Sequence, residues 1–517
     1  MKKDSISAKI LWKLVIVSKL KYKMAMQKSS LIKNPLKCPQ GGRTEIKMLN
    51  FSDFPDVGEV FRFFEEFSKI PHGSGHTDKI ADYLVDFAKT RGQTYIRDEA
   101  NNVIIKKPAS KGYEARPAVI IQGHTDMVAE KDESSAINML TDGLELYRDG
   151  DFLKAKGTTL GGDDGVAVAY ALALLDSNDI EHPALEAVFT SDEEIGLIGA
   201  GALDANNIDG RIMINIDSDT EGIFTVGCAG GARIDITLPM NLSDTGSNGY
   251  EITIDGLKGG HSGVEINKGR HNAVKILADL LFRCGNAQIF ALCGGNADNA
   301  IPRQAKCFVS CDKKALDNAI ALAIETYSAI EPDLTITAVE SIGKKVYDAE
   351  SSKNLISLIC SEPSGVISMS EDIKGLVETS LNLGIAKTDD KSASISFSVR
   401  SSKDSEKQNL LTRVRKIANE HGASHATHGE YPGWEYKKES RLRDVMCAVY
   451  EREYGKSAKV ITIHAGLECG IFSDKLAGLD CVSIGPDNFD IHTTEERLSI
   501  SSTARVWDFL KKVLKEI

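Results

Sequence analysis

A chain of 517 residues exceeds what one hydrophobic core serves and predicts two or three domains. Its 42% hydrophobic and 26% charged residues are those of an ordinary soluble protein. The net charge of −12 is uneven: residues 1–48 hold twelve Lys/Arg against two Asp/Glu, so the rest carries −22, and that acidic body excludes a nucleic-acid partner, which needs a basic face.

Ten cysteines, at 38, 228, 284, 293, 307, 311, 360, 447, 469 and 481, form no CxxC pair and read as reduced thiols of a reducing compartment. Ile10–Ser18 is apolar, yet Lys13 interrupts it and it falls short of the ~20 residues that span a bilayer. No small-residue cleavage site follows, which argues against a secretory signal. The leader reads as an organelle-targeting extension, a basic disordered arm, or the product of an upstream start with Met48 as working initiator. The last is preferred, because a globular pattern begins directly after Met48, and residues 1–47 are set aside as a basic extension.

From Asp56 to Phe67 apolar residues recur at helical spacing, with Asp56 as cap. A loop with His72 and His76, read as solvated, precedes a second helix from Thr77 to Arg91, which Gly92 stops. Asn101–Ile105 reads as a strand. In AVIIQGHTDMV, residues 118–128, the unalternated run Val119–Ile121 predicts a strand covered on both faces in a parallel sheet. Its carboxyl end would face the crevice where such sheets bind ligands. His124 and Asp126 lie two apart and share a side in extended chain, so a carboxylate could accept the second ring N–H of a metal-bound histidine. Alone, the triplet reads better as a strand end with a solvated turn.

Its neighbours decide. In GTTLGGDDGVAVAYALALL, residues 157–175, Val166–Leu175 predicts a buried helix opened by Asp163 and Asp164. Carboxylates there complement the helix dipole, but after an HxD turn they fit metal ligation better, with Asp163 bridging two cations. The strand Leu185–Thr190 runs into Asp192, Glu193 and Glu194, whose adjacent side chains diverge: Glu194 is expected as ligand and Glu193 as general base. The strand Arg211–Ile216 ends at Asp217.

After Gly230 the pattern changes to antiparallel strands (234–238, 250–257, 334–339, 395–400) and helices (272–284, 313–330), an α+β insertion over residues 230–433. It holds His261 in GGHSG and the turn NAIPRQA at 299–305; a histidine in such a loop is more often structural. Residues 434–517 return to the first pattern: helix 439–454, strand 459–463 ending at His464 in HAGLECG, strand 481–484, His492, and a closing helix 502–517. The division is thus 48–229 and 434–517 for a catalytic domain in two parts, 230–433 for a lid. His124, Asp163, Glu194, Asp217 and His492 offer nitrogen and carboxylate without thiolate, which suits two zinc ions, or cobalt or manganese. Cations about 3.5 Å apart would serve a hydrolysis. No GxSxG elbow, HExxH helix or phosphate loop competes.

The series HTDMV, GGDDG, DEEIG, INIDSD, GGHSG, NAIPR, HAGLECG and IHTTEER resembles the di-zinc peptidases related to aminoacylase and carboxypeptidase G, most closely their aminoacyl-histidine dipeptidase branch, over about Met48 to Ile517. The resemblance implies an α/β fold: a mixed-sheet di-zinc catalytic domain with an inserted α+β lid. It implies His124, Asp163, Glu194, Asp217 and His492 as metal ligands, a cis bond between Asp163 and Asp164, Asp126 orienting His124, and Glu193 as general base. His261 would close over the substrate and stabilise the oxyanion, Asn299 and Arg303 would hold the substrate carboxylate, and His464 would line the pocket. The implied activity is a cytoplasmic dipeptidase of Xaa-His type and broad specificity, working through a metal-bridging hydroxide, with dipeptides as partners and neither nucleic acid nor membrane. The alternatives are an N-acyl amino acid deacylase or carboxypeptidase with the same site, and a non-catalytic binding protein. GGDDG departs from the Ala-Asp-Asn frequent in this branch. The insertion is about twice the usual lid, which allows a homodimer through it and leaves His261 acting within its own subunit or across the dimer.

Overall fold

The structure, a computed structural model, describes residues 49–243, 247–343, 345–371 and 373–517. The expectations for residues 1–47 lie outside the described residues. Leu49–Ile517 forms one compact unit.

Its central element is an eight-stranded mixed sheet. In chain order the strands are β1 (Thr94–Arg97), β2 (Val103–Lys107), β3 (Val119–His124), β4 (Leu185–Thr190), β5 (Ile212–Asn215), β6 (Ile223–Cys228), β7 (Lys459–Ile463) and β8 (Asp480–Ser483). In space they run β1-β2-β4-β3-β5-β8-β6-β7. β3 is parallel to both neighbours, β4 and β5, and every one of its residues is buried, as its unbroken apolar run predicts. Helix α1 (Gly58–Phe67) buries its apolar stripe, and helix α2 (Asp78–Thr90) presents its own to β1 and β2. Helix α3 (Gly162–Asp176) is apolar on all sides and buried from Gly165 to Leu175. It packs so closely on α1 that a Cβ on Gly165 would sit 2.4 Å from the Phe67 ring.

The chain leaves this sheet after Cys228 and re-enters at Trp434. Those two residues exchange both backbone hydrogen bonds, each 2.9 Å, closing the two crossings side by side. Between them a nine-stranded sheet with antiparallel pairings buries one face under helices 273–283, 349–361 and 404–420, around Ile234, Ile236, Leu277, Leu281 and Phe397.

A small four-stranded sheet was not foreseen. It joins Leu146–Asp149 and Phe152–Ala155 to Asn488–Phe489 and Arg497–Ser499, with Lys154 opposite Arg497. It carries the loop that presents His492. His72 is also not solvated: it is buried, packs edge-on against Phe67 at 5.4 Å and bonds Ile70 O through Nδ1 at 2.6 Å, a core histidine. His76 is exposed.

Candidate metal centre and substrate pocket

The centre is built at the carboxyl ends of β3, β4 and β5. His124 is the last residue of β3. Gly123 before it lets α3 approach, since a Cβ there would lie 2.3 Å from Ala167 Cβ and 2.5 Å from an Asp164 carboxylate oxygen. At the start of α3, Asp163 and Asp164 have non-helical backbone angles and the peptide bond between them is cis. Glu193 and Glu194 follow β4, and Asp217 lies two residues beyond β5.

His124 Nε2 lies 3.0 Å from Asp163 Oδ1 and 3.6 Å from Asp217 Oδ1. His492 Nε2 lies 2.8 Å from Glu194 Oε1 and 3.3 Å from Asp163 Oδ2. The two oxygens of Asp163 therefore face different histidines, the disposition of a carboxylate shared between two cations. Three donor sets each fall within 4.8 Å: His124, Glu193 and Glu194; His124, Asp164 and Asp217; Asp163, Glu194 and His492. All five residues nominated from the sequence as ligands converge, with Asp164 and Glu193 added.

The donor set fits divalent cations. Five carboxylates gather here, and among the described ion pairs none of them meets a lysine or arginine. Such a concentration of buried negative charge needs cations. Burial disfavours imidazolium at His124, yet Asp126, Asp163 and Asp217 outweigh it and hold its pKa well above the usual value. His492 is raised to about 10 by Asp163 and Glu194. Burial raises Asp217 to about 6 against the pull of His124, and raises Asp164 well above the carboxylate range, helped by Asp217. Burial also holds Glu193 well above its usual value, opposed by His124 and reinforced by Asp217, Glu468 and Asp163.

Asp126 organises this end of the sheet. Its carboxylate accepts Ser74 Oγ–H at 2.7 Å and the backbone N–H groups of Glu193 at 3.0 Å and Glu194 at 3.4 Å. The nearest partner of His124 Nδ1 is the Asp126 carbonyl oxygen at 3.0 Å, with the carboxylate at 3.5 Å, so the backbone shares the orienting role expected of the side chain. Glu496 supports the opposite side: its oxygens accept N–H from Leu160, Gly161, Gly162 and Asp163.

A second polar group lies where the inserted region meets the sheet. His464 Nε2 bonds Ser380 Oγ at 2.7 Å. A Cβ on Gly263 would come within 2.5 Å of His464 O and 3.0 Å of the His261 ring, so the His261 loop abuts His464 of the same chain. Arg400, 9% exposed, donates Nη1–H to Tyr431 Oη at 3.2 Å and leaves Nε without a partner. It appears in no described ion pair with a carboxylate. Burial, then the Arg400 charge, depresses His261 below its usual range and takes His464 to about 3. From the sequence Arg400 reads only as the end of a strand; its burial without a counter-charge is visible only in the fold.

A cavity of about 260 Å³ opens on Asp163, Asp164 and Asp217, walled by Ile461, Ile463, Ile491 and, from the inserted region, Val264. Asn299 and Arg303 do not line it. Asn299 is exposed and its carbonyl accepts Ser262 N–H at 2.8 Å. Arg303 is exposed, donates Nε–H to Leu257 O at 3.1 Å, and borders a separate cavity of about 640 Å³ with Asp255 and Lys306. No described helix is long and apolar enough to cross a membrane.

The model of peptidase family M20/M25/M40 matches residues 120–516. The cytosol non-specific dipeptidase of Escherichia coli strain K12 is 36% identical over 477 residues, covering 89% of this chain and 97% of that protein. Among solved structures, aminoacylhistidine dipeptidase from Vibrio alginolyticus superposes with a TM-score of 0.83 at 33% identity, covering 89% of this chain and 96% of that one. Aminopeptidase PepT of Bacillus cereus shares the fold, with a TM-score of 0.53 at 15% identity. The mixed α/β fold with an inserted lid is therefore that of the dipeptidases it matches, and the chain belongs to peptidase family M20/M25/M40, a hydrolase of peptide bonds.

Proposed function

We propose that the chain is a cytoplasmic dipeptidase of broad specificity, Xaa-His dipeptides included. Asp163 shared between His124 and His492 is the observation that carries it. Asp163 would bridge, His124 and Asp217 would complete one cation site, and Glu194 and His492 the other. Zinc suits these donors, as do cobalt and manganese. The cations would supply Lewis acidity toward the peptide carbonyl and acidify water.

The chain's own groups account for the rest. Glu193, raised by burial, can take a proton from the attacking water and deliver it to the leaving amine. Arg400 is a buried guanidinium with no counter-ion among the described residues, and a dipeptide's α-carboxylate would supply one. This reading replaces the exposed Arg303 as the main carboxylate anchor. A fixed distance between that anchor and the cations would limit substrates to two residues. His261 and His464, kept neutral beside Arg400, remain able to donate an N–H to the developing oxyanion. The abutment of the His261 loop on His464 of the same chain favours action within one subunit. The name of the relative from Escherichia coli and the absence of disulfides among the described cysteines support a cytoplasmic setting.

The test is turnover by the zinc- or cobalt-loaded protein of Ala-His, β-Ala-His and Gly-Gly, beside acetyl-amino acids. Turnover of the dipeptides is expected. Faster hydrolysis of acetyl-amino acids would favour a deacylase, and no dipeptide turnover would overturn the proposal.

A further inference from the structure

One layer below the candidate metal centre lies a set of buried polar side chains that hydrolysis does not use. Gln122 and Asn215 are partners on the parallel strands β3 and β5. Each stands two residues before a candidate ligand, Gln122 on the same side of β3 as His124 and Asn215 at the end of β5 ahead of Asp217. Thr190 ends β4, opposite His124, three residues before Glu193.

These three converge on Glu468, from the far end of the sequence. Asn215 Nδ2 donates to Gln122 Oε1 at 2.6 Å, which turns the Gln122 amide N–H toward Glu468. Gln122 Nε2 and Thr190 Oγ1 then both donate to Glu468 Oε2, each at 2.6 Å. All four residues are 1% exposed or less. Glu468 Oε1 has no partner, and no lysine or arginine pairs with the carboxylate among the described ion pairs. Burying an unpaired carboxylate is costly. Packing alone would favour an apolar side chain there.

We infer that Glu468 is a positioning residue for the metal centre. Its carboxylate gathers β3, β4 and, through Gln122, β5 at a single oxygen, so that His124, Glu193, Glu194 and Asp217 are held in register before any cation arrives. The inference rests on the metal-centre reading above and concerns how that centre is preformed.

Cobalt alone, titrated into metal-free full-length protein and followed by visible absorbance, tests it. Glu468→Leu removes the acceptor and is expected to weaken cobalt binding about 10- to 100-fold and to alter the spectrum, the effect typical of groups that orient metal ligands. Glu468→Gln keeps an oxygen for both donors and is expected to recover most of that affinity. Thr190→Val removes one donor and should fall between, which serves if Glu468→Leu does not fold. A purely structural role predicts a lower melting temperature of the metal-free protein with cobalt affinity and spectrum unchanged. That result in Glu468→Leu, or in Thr190→Val where the first variant does not fold, would overturn the inference. A wild-type protein without saturable cobalt binding would instead overturn the metal-centre reading beneath it.

Discussion

Glu496 grips the turn that presents Asp163, 333 positions earlier in the chain. Its carboxylate oxygens accept the N–H groups of Leu160, Gly161, Gly162 and Asp163 at 2.8, 3.0, 2.9 and 3.3 Å, and Asn488 Nδ2 adds a fifth bond at 3.2 Å. An anion in such a nest of amides does for the start of α3 what a cap does elsewhere. Glu496→Ala leaves those donors unpaired and is expected to destabilise the protein by about 3 kcal/mol. Denaturant unfolding of the metal-free protein checks this, and a loss under 1 kcal/mol would show that the turn holds itself.

Glu193 is assigned to proton transfer and the neighbouring Glu194 to cation binding. Glu193→Ala should lower kcat by roughly 10²- to 10⁴-fold and leave metal content near that of wild type. Metal analysis beside steady-state kinetics separates the roles, and parallel loss of metal would move Glu193 among the ligands.

Arg400 as carboxylate anchor makes a prediction about substrates. Arg400→Ala should lower kcat/KM on dipeptides by about 10- to 100-fold, the worth of one or two charged hydrogen bonds. Dipeptide amides, which lack the carboxylate, should be cleaved by variant and wild type at similar low rates. Equal losses on both substrate classes would count against the anchor.

Gly123 sits where α3 touches the end of β3. Gly123→Ala drives a methyl into Ala167 and Asp164, and overpacking of this kind costs about 1–3 kcal/mol. Because the displaced groups flank His124, cation binding should weaken with stability. A variant as stable as wild type would mean that α3 has room to retreat.

His464 supplies a pH dependence. Its folded pKa is about 3, depressed by burial and Arg400, against about 6.5 unfolded. Between those values the unfolded chain binds the proton and the folded chain does not, so stability falls as pH drops below 6.5. Lowering the pH from 6.5 to 5 should cost wild type on the order of 2 kcal/mol more than His464→Asn. Parallel stability curves for the two proteins would contradict the assignment.

How much of this the sequence carried depends on the reach of each signal. The buried strand at Val119–Ile121 and the helix after Asp164 are local patterns, and both stand where periodicity put them. The convergence of His124, Asp163, Glu194, Asp217 and His492 followed from motif order, because each lies at or just beyond an element end. Glu496 in TTEER looks like a solvated charge run, and only the strand pairing of residues 497–499 with 152–154 brings it beneath α3. The hairpin at 146–155 was missed because Tyr147, Arg148 and Lys154 break alternation. Arg400 carries no local mark and Glu468 only its place in HAGLECG: what distinguishes both is burial without a counter-charge among the described residues, a property of packing.

β8, Asp480–Ser483, lies between β5 and β6, strands completed some 250 residues earlier. A ribosome must therefore pass Ser483 before this sheet can close, and His492 emerges later still. Until then the gap between β5 and β6 leaves unpaired strand edges in the growing chain, a surface of the kind chaperones shield.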